Sequence, residues 1–219
     1  MEASVIYAWL MDGRGGTLHD PFDAHVLASI LALAIAETRA GAVSLSESTG
    51  LTVETVTSLM SFAFPHALPL LEPHAECAEL SIPDDELCLR ELLMRSTTQR
   101  TPFQLHLAAL VARRAMRPNH LWQDCGLRNR GELCDLMSRH FAPVASRNVN
   151  NMKWKKFLYR MICRDEGFRL CTAPSCAECD DFSVCFGDES GESFLARNRR
   201  QAELHVIAAA PHSLQNRPV

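Results

Sequence analysis

Apolar residues recur at three- and four-residue spacing through most of this chain, and prolines, glycines and capping residues divide them into a series of helices. Asp20-Pro21 pairs a capping carboxylate with a proline suited to a first helical turn. The run "VLASILALAIA" (26–36) follows and fits a mostly buried helix closing near Gly41. "VSLSESTGLTVETVTSLMSFAFP" (43–65) predicts a short helix, a glycine turn at Gly50 and a threonine-capped second helix that Pro65 ends. The four prolines from Pro65 to Pro83 predict a connecting loop.

Beyond it, "DDELCLRELLMRST" (84–97) has acids in its first turn and Arg95 in its last, as the helix dipole favours. Thr101-Pro102 caps "FQLHLAALVARRAM" (103–116), in which Phe103, Leu107, Leu110 and Val111 share a face. "NHLWQDCGL" (119–127) and "NRGELCDLMSRHFAP" (129–143) read as two short helices, each opened by an asparagine. The best-patterned helix spans 144–167: Trp154, Phe157, Leu158, Met161 and Ile162 form its apolar stripe, Lys153, Lys156, Arg160 and Arg164 share its other side, and Gly167 ends it. There is no internal repeat and no strand pattern.

The expected fold class is therefore all-α, a single helical domain with a C-terminal cysteine-rich loop. Residues 1–80 form an N-terminal helical part and proline-rich connector, 81–197 a second helical part containing the loop (170–187), and 198–219 a flexible tail, with one compact domain overall.

Composition narrows the function. At 219 residues, with 47% hydrophobic and 22% charged residues, the chain can bury a substantial core. A net charge of -4 lacks the positive field that carries non-specific nucleic-acid binding. No apolar run reaches the roughly 20 residues of a membrane-spanning helix, and "MEASVIYAWLMDGRGG" lacks the basic start and cleavage site of a signal peptide. The expectation is a cytoplasmic protein with neither nucleic acid nor membrane as partner. Nine cysteines in a reducing compartment argue against a disulfide framework.

Four of those cysteines, Cys171, Cys176, Cys179 and Cys185, fall within fifteen positions of a segment with few periodic apolar residues. Such a loop is not shaped by its own packing, so a bound group must order it. Soft thiolates select zinc, copper(I) or iron–sulfur clusters. Closed zinc sites usually pair two C-x-x-C units, whereas C-x4-C-x2-C-x5-C has one pair flanked by single cysteines. That spacing leans toward an iron–sulfur cluster and leaves zinc open.

These residues also carry a resemblance. "ARRAMRPNHLWQDCGLRNRGELCDLMSRHFAP" (112–143), "NVNNMKWKKFLYR" (148–160) and "EGFRLCTAPSCAECDDFSVCFGDESGES" (166–193) resemble the NifQ family of nitrogen-fixation proteins over roughly residues 87–196. The resemblance implies an iron–sulfur molybdenum carrier, not an enzyme, that supplies molybdenum for the nitrogenase iron–molybdenum cofactor. It implies Cys171, Cys176, Cys179 and Cys185 as cluster ligands, a cluster of 3Fe–4S or 4Fe–4S type, and molybdenum held as a molybdenum–iron–sulfur form. It also implies a molybdenum source and the nitrogenase cofactor-assembly proteins, the scaffold complex and the iron protein, as partners.

Other residues carry weaker expectations. His120, His140 and Cys163 are candidate extra ligands, each with a packing role as the alternative. Lys153, Lys155, Lys156 and Arg160 are candidate contacts to an anion or an acidic partner, against the plainer reading of a wet helix face. Asp180, Asp181, Asp188 and Glu189 read as a solvated loop face. Cys77, Cys88, Cys125 and Cys134 stand alone and read as packing residues. The alternative function is a cluster- or zinc-containing helix-turn-helix regulator built on 44–60, although its second helix, 52–60, has no lysine or arginine to approach phosphates. No nucleotide-binding glycine loop, G-x-S-x-G or H-E-x-x-H supports an enzyme.

Overall fold

The structure is a computed structural model describing residues 1–13, 16–71 and 80–165, the last three by backbone alone, with Cys185, Glu189 and Leu195. Its described residues contain ten α-helices, one 3-10 helix and no strand. The helices are α1 (Ala3–Asp12), α2 (Pro21–Arg39), α3 (Leu45–Thr49), α4 (Val53–Ala63), α5 (Asp84–Arg95), α6 (Pro102–Ala115), α7 (Leu121–Asp124), α8 (Arg130–His140), α9 (Ala142–Ala145) and α10 (Trp154–Asp165). The class is all-α, as the apolar spacing predicts.

The organising element is α2. Asp20 caps it, accepting hydrogen bonds from the backbone N–H groups of Phe22 and Asp23, with Pro21 as its first residue. From Val26 to Ile35 every residue is buried, so the helix has no wet face along this stretch. It is the one helix among the described residues long and apolar enough to cross a membrane, and here its apolar surface is covered by protein. Three networks join its flanks to neighbouring helices. Arg114 of α6 donates to Glu37 (2.7 Å), His25 lies 3.1 Å from Glu132 of α8, and His140 of α8 lies 3.0 Å from Asp23. The turn after α7 comes so close that a Cβ on Gly126, whose φ is +72°, would stand 2.8 Å from the Ser29 carbonyl oxygen.

The core that forms around α2 is continuous from Ile6 in α1 to Met161 in α10, with residues from both sides of position 80. α5 and α6 form its second side, pinned by a fully buried carboxylate. Glu86 accepts from Arg90 Nε (2.8 Å) and pairs with Arg113 (2.9 Å), while Arg90 also donates to the Gly50 carbonyl (2.5 Å). That carbonyl belongs to the left-handed turn between α3 and α4, where Gly50 has φ +69°. The α3–α4 pair has the predicted turn and the predicted Thr52 cap, and the exposed residues of α4, including Glu54 and Thr57, include no cation.

Four features differ from the reading of the sequence. α1 is an additional helix, with Ala3, Ile6 and Leu10 buried along one face against α2. Residues Pro65–Leu71 form a 3-10 helix where a loop was expected, with Ala67 and Leu70 turned into the core. α7 opens at His120 instead of Asn119, whose side chain donates to Asp124. The long helix expected over 144–167 is broken into α9 and α10. Asn148 supplies the reason, since its side chain accepts from the Met152 N–H and donates to the Met152 carbonyl (both 2.9 Å), and Asn151 adopts φ +52°. Asparagine tolerates that left-handed geometry and offers the backbone a partner that competes with the helix. The expected stop at Gly167, the connector over 72–79 and the tail from 198 lie outside the described residues.

Candidate metal centre

The site is built on the first turn of α10. Trp154, Phe157, Leu158 and Met161 are buried and Ile162 half-buried, so the predicted stripe faces the core. Trp154 packs edge-to-face on Phe157, with ring centroids 5.8 Å apart, and its indole N–H donates to the Cys134 sulfur. Lys153 is the residue just before this helix, where a backbone N–H has no partner within the helix. That N–H donates instead to the carbonyl oxygen of Cys185 (2.9 Å).

Cys185 is thus fixed at one end of α10 and half-buried against the core, while the chain leaves the other end of α10 at Asp165. Twelve residues at a rise of 1.5 Å separate those ends by about 18 Å. Residues 166–184 connect two anchored points on one helix. Cys171, Cys176 and Cys179 fall in that connection and lie outside the described residues, as do Asp180, Asp181 and Asp188.

A second anchor follows the fourth cysteine. The Glu189 side chain is only 4% exposed, and Arg130 Nη1 donates to its Oε2, while His120 Nδ1 lies 3.4 Å from its Oε1. Arg130 Nη2 donates to the carbonyls of Asn151 and Met152 (each 3.0 Å) and to Asn151 Oδ1 (2.8 Å). One guanidinium therefore holds the start of α8, the asparagine turn before α10 and the stretch after Cys185. Glu189 is a clasped carboxylate and not part of a solvated loop face. No local pattern marks this pair, because its partners stand 59 positions apart and each is one charged residue among many.

The weaker candidates separate by environment. His140 is 3% exposed with Nε2 on Asp23 and Nδ1 3.4 Å from Gln104 Nε2, and it packs edge-to-face against Phe103. Burial pushes its pKa below the usual histidine value despite the attraction of Asp23, the mark of a neutral, hydrogen-bonded core group. His120, about a third exposed, faces the Glu189 carboxylate. Cys163 occupies the last turn of α10, its side chain outside the described residues. Lys155 turns inward, donating to Asp124 Oδ2 (2.5 Å) and to the Arg117 carbonyl, whereas Lys156 and Arg160 are exposed and Lys153 half-buried.

The other described thiols have separate surroundings. Cys125 is fully buried, which pushes its thiol up to about 12, so it remains protonated. Cys88 and Cys134 are half-buried, and Cys77 lies outside the described residues. No group of three or more histidine, cysteine or acidic side chains arranged for a metal occurs among the described residues.

Fold and site define an all-α protein in which the N-terminal end of α10 anchors Cys185, a residue in helical conformation where a loop is expected over 170–187. Comparison with known proteins then gives the family: the NifQ family model matches residues 26–187, and the chain belongs to the NifQ family, a nitrogen-fixation family. It is 37% identical over 172 residues to the "Protein NifQ homolog" of Sinorhizobium fredii (strain NBRC 101917 / NGR234), covering 78% of this chain and 75% of that protein. The NifQ protein of Rhodobacter capsulatus is 38% identical over 169 residues, 76% of this chain and 91% of that one. The NifQ protein of Azotobacter vinelandii is 41% identical over 101 residues, 46% of this chain and 52% of that one. The match begins in α2, well before the stretch on which the resemblance was first read. No solved structure matches the chain.

Proposed function

We propose that this protein is a molybdenum carrier of nitrogen fixation, which receives molybdenum on an iron–sulfur cluster held by Cys171, Cys176, Cys179 and Cys185 and delivers it for iron–molybdenum cofactor synthesis. The observation that carries the reading is the anchoring of Cys185, whose carbonyl is fixed by Lys153 while its side chain stands half-buried at the core margin. The donor set suits the group, since four cysteines in fifteen positions are soft ligands of the kind iron–sulfur clusters take. When bound, a 3Fe–4S or 4Fe–4S cluster supplies the sulfide ligands that molybdenum, arriving as a hard oxyanion, needs in the cofactor.

The chain's own residues supply the rest. Lys153 and Arg130 keep the end of the connection in register with α10, and the apolar stripe of α10 limits water on one side of Cys185. The role is that of a cytoplasmic accessory protein without catalysis of its own, meeting a molybdenum source and the nitrogenase cofactor-assembly proteins, the scaffold complex and the iron protein. The regulator alternative gains nothing from α4, whose exposed face lacks cations.

The test is elemental analysis of protein isolated without oxygen from cells supplied with iron and molybdate. Iron with matching sulfide and substoichiometric molybdenum is the expected result. Zinc alone, near one per chain, would make the cysteines a structural site and end the carrier reading.

A further inference from the structure

A cavity of about 260 Å³ opens between α2, α6 and α7, and its walls include Leu33, Glu37, Arg114, Arg117, Asn119 and Asp124. It is smaller than the roughly 300–1,000 Å³ of sites for drug-sized ligands, so it suits a compact guest. Its walls carry both signs of charge, and each carboxylate oxygen already accepts at least one hydrogen bond. Glu37 Oε1 accepts from Arg114 (2.7 Å), and its Oε2 accepts from Arg117 (2.9 Å) and from the Ser48 hydroxyl. Asp124 Oδ1 accepts from Asn119 (3.2 Å) and its Oδ2 from Lys155 (2.5 Å). All four carboxylate oxygens are therefore already engaged by donors.

Unused donors remain. Arg114 is 1% exposed, and its buried Nε has no hydrogen-bond partner. A buried N–H of a charged group without an acceptor is costly, and a guanidinium offers five donors in a planar fork matched to oxyanions. Arg117, whose side chain is 32% exposed, brings a second fork to the mouth of the cavity. Arg114 and Arg117 balance the charges of Glu37 and Asp124 in the lining, and Lys155, behind the wall on Asp124, adds a third cation.

We propose that this cavity binds a compact tetrahedral oxyanion, the class that includes molybdate, sulfate and phosphate, with Arg114 and Arg117 as its donors. Molybdate is the member expected in this protein, a choice that rests on the carrier reading above. The placement fits that choice. Lys155, which braces Asp124 from behind the wall, lies two residues after Lys153, whose N–H holds Cys185. The first turn of α10 thus links a wall of the oxyanion cavity, through Lys155, to the backbone of the fourth cysteine, through Lys153.

The experiment is calorimetric titration of molybdate, sulfate and phosphate into the full chain carrying C171S, C176S, C179S and C185S together, and into the unaltered chain freed of metal. One molybdate per chain is expected in both. Arg117→Gln should weaken binding about tenfold or more, the loss of a charged, forked donor, with unchanged circular dichroism. Lys156→Gln, on the exposed side of α10, should leave binding as it was. Absence of oxyanion binding, or an Arg117→Gln chain that binds molybdate normally, overturns the site. Equal binding of all three anions keeps the oxyanion class and overturns the molybdate choice. Iron analysis of the unaltered protein judges the carrier reading separately, since the titration uses no cluster.

Discussion

The polar groups around α2 and those around the first turn of α10 are both buried or half-buried ion pairs, yet they do different work. Glu86 with Arg90 and Arg113, and His140 with Asp23, join helices whose apolar faces already meet, so their loss would be felt by the whole core. Glu189 with Arg130 and His120 joins the core to a stretch that follows the fourth cysteine. The first set joins the helices of the core, and the second holds Glu189, four residues after Cys185, against that core. Stability and metal retention should therefore be separable by mutation.

The largest separation is expected at the cysteines themselves. Cys176→Ser or Cys179→Ser should abolish retained iron and leave helix content nearly intact, because the core from Ile6 to Met161 is built by the helices α1 to α10. Full iron in either variant would remove that residue from the ligand set. Glu86→Ala is the opposite case. It leaves Arg90 and Arg113 buried without their carboxylate, and breaking a buried pair in this way costs about 3–5 kcal/mol. Chemical denaturation should show that loss, while protein still folded should carry its full complement of iron per chain. A Glu86→Ala protein as stable as the parent would mean that the two arginines find other acceptors.

How much of this could be read from the sequence follows from the range of each interaction. The caps at Asp20, Thr52, Thr101 and Asn129 all form as their neighbours predict, because each involves residues two or three positions apart. The stripe of α10 is equally local. The helix starts later than 144 because Asn150 and Asn151 stand where the stripe would continue, and the bonds of Asn148 to Met152 with the left-handed Asn151 break the chain there. Arg130 with Glu189, Arg114 with Glu37 and His140 with Asp23 span 59, 77 and 117 positions, and no local pattern marks either partner. The four cysteines stand out in the sequence for the opposite reason, being dense and unlike packing thiols in spacing.

Glu189→Gln sharpens the comparison at smaller scale. It keeps the shape and one acceptor of the side chain but removes the charge that Arg130 and His120 face. Charge-assisted hydrogen bonds contribute roughly 1.5–3 kcal/mol, and here that energy holds one segment instead of the fold. Global stability should change little, while loss of iron to a chelator should speed up several-fold and protease cleavage within 166–189 should rise. Unchanged iron release with unchanged cleavage would show that Lys153 and the packing of Cys185 suffice as anchors.

The gentlest perturbation is pH, and its sign follows from burial. His106 and His140 both have pKa values pushed down by burial, below the usual 6.5. On unfolding they recover that value and take up protons the folded chain refuses, so acidification through pH 6.5 favours the unfolded state. Glu132 behaves as a carboxylate of the opposite kind. Burial raises its pKa, but His25 and the backbone and side chain of Arg128 more than offset this and hold it at about 2, against 4.5 unfolded. Its contribution is complete above pH 4.5 and is lost as pH falls toward 2. Thermal unfolding of the metal-free protein should therefore weaken in two stages, a shallow one below pH 6.5 and a steeper one below 4.5. His106→Gln should flatten the first stage and leave the second in place, whereas a variant losing both together would mean that the histidine and carboxylate networks around α2 open as one unit.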